Sequence, residues 1–492
     1  MHNPKKVIVI GAGFAGMAAA ASLAQQGFRV QVLEKHDRPG GRARSFSAQG
    51  FTFDMGPSWY WMPDVFEKYF RKFGKTTADY YELLRLDPSY TVIFGENDFM
   101  PVPAQMPAMH ALFESLEPGS SKKLDAFLNQ AAYKYEVGIN QLVYKPGRSL
   151  TEFLDWHLLQ DVFRMDVFQS MHQHVRKFFR NEKIIKLMEF PVLFLGALPQ
   201  NTPALYSLMN YADIALGTWY PRGGMYKIVE GMASLAESVG VEFLYNQEVN
   251  WLETEGKNIQ RVHTTEKIFA ADVVVAGADY HHVEKALLPQ AKQSYSDSYW
   301  NKRVMAPSSL IFYLGINKKL ENLQHHNLFF DEDFEPHAQE IYTTPRWPTN
   351  PLFYVSAPSK TDASVAPAGC ENLFILIPVA PGLPDDESTR ERYYDLVLNR
   401  LEKLTRQKIR EHVIFKRSYA HQDFITDYHA FKGNAYGLAN TLMQTAILKP
   451  GLKSKKLNNL YYTGQLTVPG PGVPPSLISG QVVAQEVARE FA

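Results

Sequence analysis

The chain has 492 residues, 45% of them hydrophobic and 21% charged, which is too long for one hydrophobic core and too apolar for a disordered chain. Lys plus Arg and Asp plus Glu balance at 51 each, so overall charge gives no reason to expect a nucleic acid partner. The single cysteine, Cys370, excludes a disulfide framework within the chain and fits a reducing compartment.

In chain order, Lys6–Ile10 is predicted to be a buried strand, Phe14–Gln26 a helix ending at Gly27, and Arg29–Leu33 a second strand. This is one βαβ opening. From about residue 95 to 215 the pattern turns helical, as in Ser121–Tyr135 and Val175–Met188. A helix is predicted at Met225–Val239 and a strand at Glu242–Tyr245. Glu248–Glu253 and Gln260–Thr264 follow as a meander around the turn Glu255-Gly256-Lys257-Asn258, and Asp272–Ala276 as a further buried strand. Residues 300–450 mix strands (Ser309–Leu314, Leu373–Pro378) with a helix at Ser388–Leu404. The end gives a strand near Leu460, a Pro/Gly loop, and a helix from Ser476 to Phe491.

The expected fold class is α/β, a Rossmann-like dinucleotide-binding domain interleaved with an α+β substrate domain. The nucleotide domain is assigned to 1–92, 217–298 and 456–492, and the substrate domain to 93–216 and 299–455.

Four elements carry the chemistry. Gly11-Ala12-Gly13-Phe14-Ala15-Gly16 joins strand to helix. Its first glycine allows the tight turn, its second lets backbone approach a pyrophosphate, and its third lets helix and strand pack closely. Glu34 ends the second strand, where a carboxylate accepts hydrogen bonds from an adenosine ribose and disfavours a 2′-phosphate. Gly40-Gly41-Arg42 follows as a second loop against a diphosphate, an element that favours FAD over NAD. Gly56-Pro57-Ser58 leads into Trp59-Tyr60-Trp61, aromatics suited either to a substrate approach or to a core. The fourth element is Tyr461 to Ser476, a rigid Pro/Gly loop whose helix points N–H groups and its dipole at a flavin edge, with Gly480 allowing close approach.

Together these segments resemble the bacterial and fungal phytoene desaturase family over the whole chain. Supporting residues are Gly11–Gly16, Glu34 with Gly40–Arg44, Phe53–Ser58, Tyr220–Met225 and Pro469–Pro474. The resemblance implies cofactor contacts at Gly11, Gly13, Ala15, Gly16, Glu34, Lys35, Gly41, Arg42, Gly56, Pro57, Ser58, Val249, Gly277, Asp279, Gly464, Gly472 and Val473. Leu466 and Val468 stand where many relatives have a second glycine and a histidine. The implied reaction is FAD-dependent desaturation of 15-cis-phytoene towards lycopene, with a quinone or oxygen as the electron acceptor. Alternatives are a later-acting or C30 diapophytoene desaturase, a redox-neutral carotenoid isomerase, or an FAD-free prenyl-chaperone-type binding protein. The intact Gly40-Gly41-Arg42 argues against the last.

No catalytic base is assigned, since proton loss next to an allylic cation needs only a weak acceptor. Non-covalent FAD is expected, because Cys370 lies far from every flavin motif. No metal site is expected: His281-His282 cannot share one ion and no third ligand falls at a usable spacing. His325-His326 is taken as a solvated loop. With no signal peptide and no apolar run of about 18 residues, the protein is expected in the cytoplasm, peripherally bound to a lipid surface. Val175–Met188 is the candidate docking helix, with Arg176, Arg180 and Lys183 on one face.

Overall fold

The computed structural model describes residues 4–149, 152, 169–195, 198–441 and 444–492. At its centre is a five-stranded parallel sheet, ordered Leu460–Tyr462, Val273–Ala276, Lys6–Ile10, Arg29–Leu33, Glu242–Leu244. Its central strand is fully apolar beyond Lys6 because both faces are covered, as parallel sheets require. The sheet thus draws its strands from three distant parts of the sequence.

The helix Phe14–Gln25 covers one face of this sheet. Its run Ala18–Ala21 is buried on all sides, which lets other helices come close. The C-terminal helix, Val473–Phe491, packs on it through Gly480. A Cβ there would lie closer than 3.0 Å to the Ala15 carbonyl oxygen, Ala18 Cβ and the Ala19 nitrogen. Gly480 is therefore a helix-packing residue, and the expectation that it faces a flavin is corrected.

A three-stranded meander, Val249–Glu255, Asn258–Thr264 and Ile268–Ala270, hangs beside the sheet. A seven-stranded sheet forms the second layer, ordered Val413–Tyr419, Ser308–Ile316, Glu371–Val379, Phe353–Ser356, His326–Phe329, Tyr90–Gly95, Asp98–Val102. The strand Tyr90–Gly95, which the expected boundary at residue 92 divides, belongs whole to this second sheet. The helix Glu387–Thr405 covers one of its faces through Tyr393, Val397, Leu398 and Leu401.

Two expectations fail here for local reasons. Val175–Met188 is two helices, Met171–Phe178 and Glu182–Glu189, because Phe179 is extended and Asn181 starts a new helix. The Asn181 side chain accepts from Lys183 N (2.9 Å) and Ile184 N (3.4 Å), a cap that a continuous helix would not need. Two of the three basic side chains are ion-paired, Arg176 with Glu189 at 2.7 Å and Lys183 with Asp98 at 2.5 Å, while Arg180 is exposed. Nor is His325-His326 a solvated loop. Both rings are buried, His325 Nδ1 lies 2.8 Å from Thr361 Oγ1, and His326 Nδ1 lies 2.6 Å from the Tyr354 hydroxyl.

Candidate cofactor and substrate cavity

Three strands of the parallel sheet end together at Ile10, Leu33 and Ala276, and a large cavity opens at that C-terminal edge, where such sheets bind ligands. The glycines at the edge divide their work. Gly11 turns at φ +93, and its N–H donates to Leu33 O at 2.8 Å. Gly13 caps the helix with φ −75, and a Cβ there would meet nothing within 4 Å. A Cβ on Gly16 would overlap the Gly11 carbonyl oxygen, and one on Gly277 would lie 3.2 Å from Ile10 O and 3.3 Å from Gly16 Cα. Gly11, Gly13 and Gly277 line the cavity. Gly16 does not, and it serves helix–strand packing alone.

Glu34 is buried beside this edge, and its carboxylate accepts from Ala12 N (2.7 Å) and His36 N (2.9 Å). The second glycine loop folds back onto the first. Gly40 N donates to Ala12 O at 2.8 Å, and a Cβ on Gly41, at φ +54, would lie 3.3 Å from Gly13 Cα. Arg42 then projects over the Tyr428 ring at 5.1 Å, and its buried Nε has no hydrogen-bond partner. Burial pulls its pKa down, opposed by the nearby Asp279 carboxyl. Open space at Gly13 beside an unsatisfied guanidinium N–H fits a bound diphosphate, which takes up both. Asp279 caps the short helical turn Tyr280–His282 and also accepts from Phe431 N at 3.3 Å; burial raises its pKa and Arg42 opposes the rise.

The segment from Thr426 to His429 crosses the same end of the cavity and is tied to the nucleotide loops. Lys35 Nζ donates to Thr426 O (2.7 Å), Arg44 pairs with Asp427 (2.6 Å), and His429 Nε2 lies 2.7 Å from Glu248. The His282 and His429 rings stack at 3.9 Å, and burial holds the His282 pKa down to about 3. Lys35, Val249 and Asp279 all line this end.

From the other side comes the C-terminal loop. Gly464, at φ +105, donates its N–H to Ser479 Oγ at 3.0 Å. The helix begins at Val473 rather than Ser476, capped by Gly472 at φ +112. Gly464, Leu466 and Pro471–Ser476 line the cavity. Because Pro474 and Pro475 lack an N–H, Val473 alone offers one in the first three helical positions, fewer than the sequence suggested.

Beyond Gly56-Pro57-Ser58 the cavity becomes apolar. Trp59, Trp61, Phe66, Phe190, Phe330 and Tyr354 are among the residues that line it. Tyr60 instead turns into the core and meets the Tyr81 hydroxyl at 3.0 Å. His337 is the imidazole in this half: Nδ1 accepts from Leu352 N (3.1 Å), Nε2 donates to Pro378 O (2.8 Å), and burial lowers its pKa. Among the described residues the Asp, Glu, Lys and Arg side chains of the lining, Glu34, Lys35, Arg42, Glu248, Asp279 and Asp427, all sit at the nucleotide end, and no group of His, Cys, Asp and Glu is placed to hold a metal. The motifs announced the nucleotide end, but not Phe330, Tyr354 or the Thr426–His429 crossing. Those residues lie in ordinary strand and helix patterns, and only the sheet pairing brings them to the site.

Residues 14–488 match the family described as flavin containing amine oxidoreductase. The chain is 40% identical over 491 residues to a carotenoid 3,4-desaturase of Haloarcula japonica, covering 99% of this chain and 98% of the relative. It is 33% identical over 492 residues to a zeta-carotene-forming phytoene desaturase of Myxococcus xanthus, covering 98% and 94%. Among solved structures, an oxidoreductase from Methanosarcina mazei matches with TM-score 0.65 at 17% identity, covering 98% of this chain and all of that one. Cyclohexylamine oxidase from Brevibacterium oxydans matches with TM-score 0.57 at 15% identity, covering 99% of each chain. The glycine loops, the open space at Gly13, the unpartnered Arg42 Nε and these full-length matches agree: the chain is an FAD-dependent oxidoreductase that belongs to the flavin-containing amine oxidoreductases and, within them, to the carotenoid desaturases.

Proposed function

We propose that the protein desaturates 15-cis-phytoene towards lycopene, with the flavin diphosphate held by Gly11, Gly13, Gly41 and Arg42 and the ribose by Glu34. Val249 and Asp279 would border the adenosine half. Gly56–Ser58, Gly464, Gly472 and Val473 would border the ring. The carrying observation is one cavity that runs from glycine loops to an aromatic half lined, among the described residues, by no Asp, Glu, Lys or Arg. Bound FAD supplies the hydride acceptor. The protein's own part is to exclude water and align a long hydrocarbon. A second reading, desaturation of the 3,4 bond of an already conjugated carotenoid, is favoured by the higher identity to the Haloarcula enzyme. Pigment analysis separates them. Cells making only phytoene should accumulate more conjugated products when the gene is expressed, and cells making only lycopene should not; the reverse pattern selects the second reading.

Peripheral membrane attachment belongs to the same proposal, since the substrate resides in lipid. No helix of the described residues is long and apolar enough to cross a membrane. Binding to anionic liposomes that high salt loosens would support a surface contact. A quinone or oxygen would then reoxidise the flavin.

A further inference from the structure

Desaturation removes a hydride and then a proton from neighbouring carbons. The first C–H bond breaks with its electron pair, which passes to bound FAD. The second breaks without its pair, which stays to close the new double bond, and the proton needs an acceptor. Phytoene and lycopene have no oxygen to take it, so the acceptor comes from the cavity. His337 is not suited to it: Nδ1 already accepts from Leu352 N (3.1 Å), Nε2 donates to Pro378 O (2.8 Å), and burial lowers its pKa. A water is the simplest acceptor, but it stays in an apolar cavity only where about two to four polar groups hold it.

Two hydroxyls of the lining are free to hold one. Tyr342 ends the helix Phe334–Tyr342, one face of which, Phe334, His337, Ala338 and Ile341, also lines the cavity. Tyr436 comes from the segment in which Gly437 O accepts from Ala306 N at 2.8 Å. Both tyrosines are half-buried and line the cavity, and among the described residues neither hydroxyl has a hydrogen-bond partner. The two phenols lie within electrostatic reach of each other. Tyr436 also reaches the phenol of Tyr354, which feels the Ser58 hydroxyl as well. The pair therefore sits near the turn Gly56–Ser58, where the apolar half begins. Ser309, three residues past Ala306, adds a third hydroxyl to the lining; it is buried, and its Oγ has no partner either. Burial raises both free phenols, Tyr436 to about 12, so they are neutral hydroxyls that can donate or accept.

We propose that Tyr342 and Tyr436 are positioning residues that hold one water against the cavity wall, and that this water takes up the proton lost in desaturation. The water becomes hydronium, and the phenol oxygens accept its hydrogens and share its charge. The pair of electrons left on carbon closes the double bond. This rests on the desaturase reading above.

Two readouts test this, one of them independent of turnover. A high-resolution crystal structure of the FAD-loaded protein should show a water within hydrogen-bond distance of both hydroxyls, and Tyr342→Phe/Tyr436→Phe should lack it. No such water in the wild type overturns the proposal. Phytoene and lycopene are then supplied in phosphatidylcholine vesicles, and whichever the wild type conjugates is compared across the variants. The double variant should keep its flavin and hold KM within about 2-fold while kcat falls about 100-fold, since only the acceptor of the proton is lost. Deuterium at the carbon that loses the proton should slow the double variant more than the wild type, whereas a merely structural role leaves that isotope effect where it was. If the double variant does not fold, Tyr342→Phe and Tyr436→Phe singly decide by the same isotope effect. A wild-type kcat and isotope effect in the variants overturn the proposal. Conjugation of neither polyene by the wild type, with the water in place, sinks the desaturase reading and the water's role with it. Normal conjugation with unchanged variants sinks only the role of the two tyrosines.

Discussion

Gly13 and Gly16 lie one turn apart in the same motif, yet the structure assigns them opposite kinds of importance. At Gly13, φ is −75 and a Cβ would enter open cavity, so alanine is tolerated by the backbone. Gly13→Ala should cost the fold about 1 kcal/mol or less, the usual scale of a weakened helix cap. The same methyl would stand where the diphosphate must reach the N–H groups. Losing one charge-assisted hydrogen bond, about 1.5–3 kcal/mol, weakens FAD binding by about 10- to 100-fold. At Gly16 the Cβ would fall closer than 3.0 Å to the Gly11 carbonyl oxygen, with Val9 Cγ1 at 3.5 Å. A backbone carbonyl cannot swing aside as a side chain can, so Gly16→Ala belongs at the upper end of overpacking, about 3 kcal/mol or more. That is a large part of a stability of about 5–15 kcal/mol. The assay is thermal melting of flavin-free protein beside flavin titration. Gly13→Ala should melt near wild type and hold little flavin, and Gly16→Ala should melt early whether or not flavin is present. Normal flavin affinity in Gly13→Ala, or a wild-type melt in Gly16→Ala, would refute the division.

Other consequences follow from the same geometry. Arg44→Ala or His429→Ala cuts one tie of the Thr426–His429 crossing, each worth about 1 kcal/mol, so flavin should leave about 3- to 10-fold faster on dilution, read by its fluorescence. Asp213 is buried against Tyr90 and Thr218, and burial raises its carboxyl to about 7 despite those two donors. In the unfolded chain it ionises near 3.9. Native Asp213 therefore holds its proton while the unfolded chain has lost it, so stability from this group is full below that value and falls as pH rises towards 7. Asp213→Asn should flatten the decline in melting temperature between about pH 4 and about pH 7; an unchanged slope would contradict the assignment. Acid precipitation should release a yellow supernatant, and colour kept in the pellet would show a covalent flavin.

The nucleotide end was legible because each position asks for something few residues provide. A tight turn, an open approach and a close packing all demand glycine, and a strand-end carboxylate needs Glu34. The aromatic half was less legible. Trp59 stands out in the sequence, but its ring partners Tyr354 and His326 reach it only through pairing of distant strands. His325-His326 reads as solvated because a polar pair says nothing of Thr361, in the turn after the neighbouring strand, or of Tyr354 in that strand, which meet one nitrogen of each ring. The break at Phe179–Asn181 was hidden because apolar spacing runs through it, and only the capping side chain of Asn181 marks the restart. Gly480 follows the ligand-facing loop in sequence, yet the room it makes is for the helix Phe14–Gln25.

The most direct test of the account is anaerobic mixing of the FAD-loaded protein with phytoene. Flavin absorbance should bleach as conjugated polyene appears, one new double bond for each flavin reduced. Isomerised or unchanged phytoene with the flavin still oxidised would contradict it.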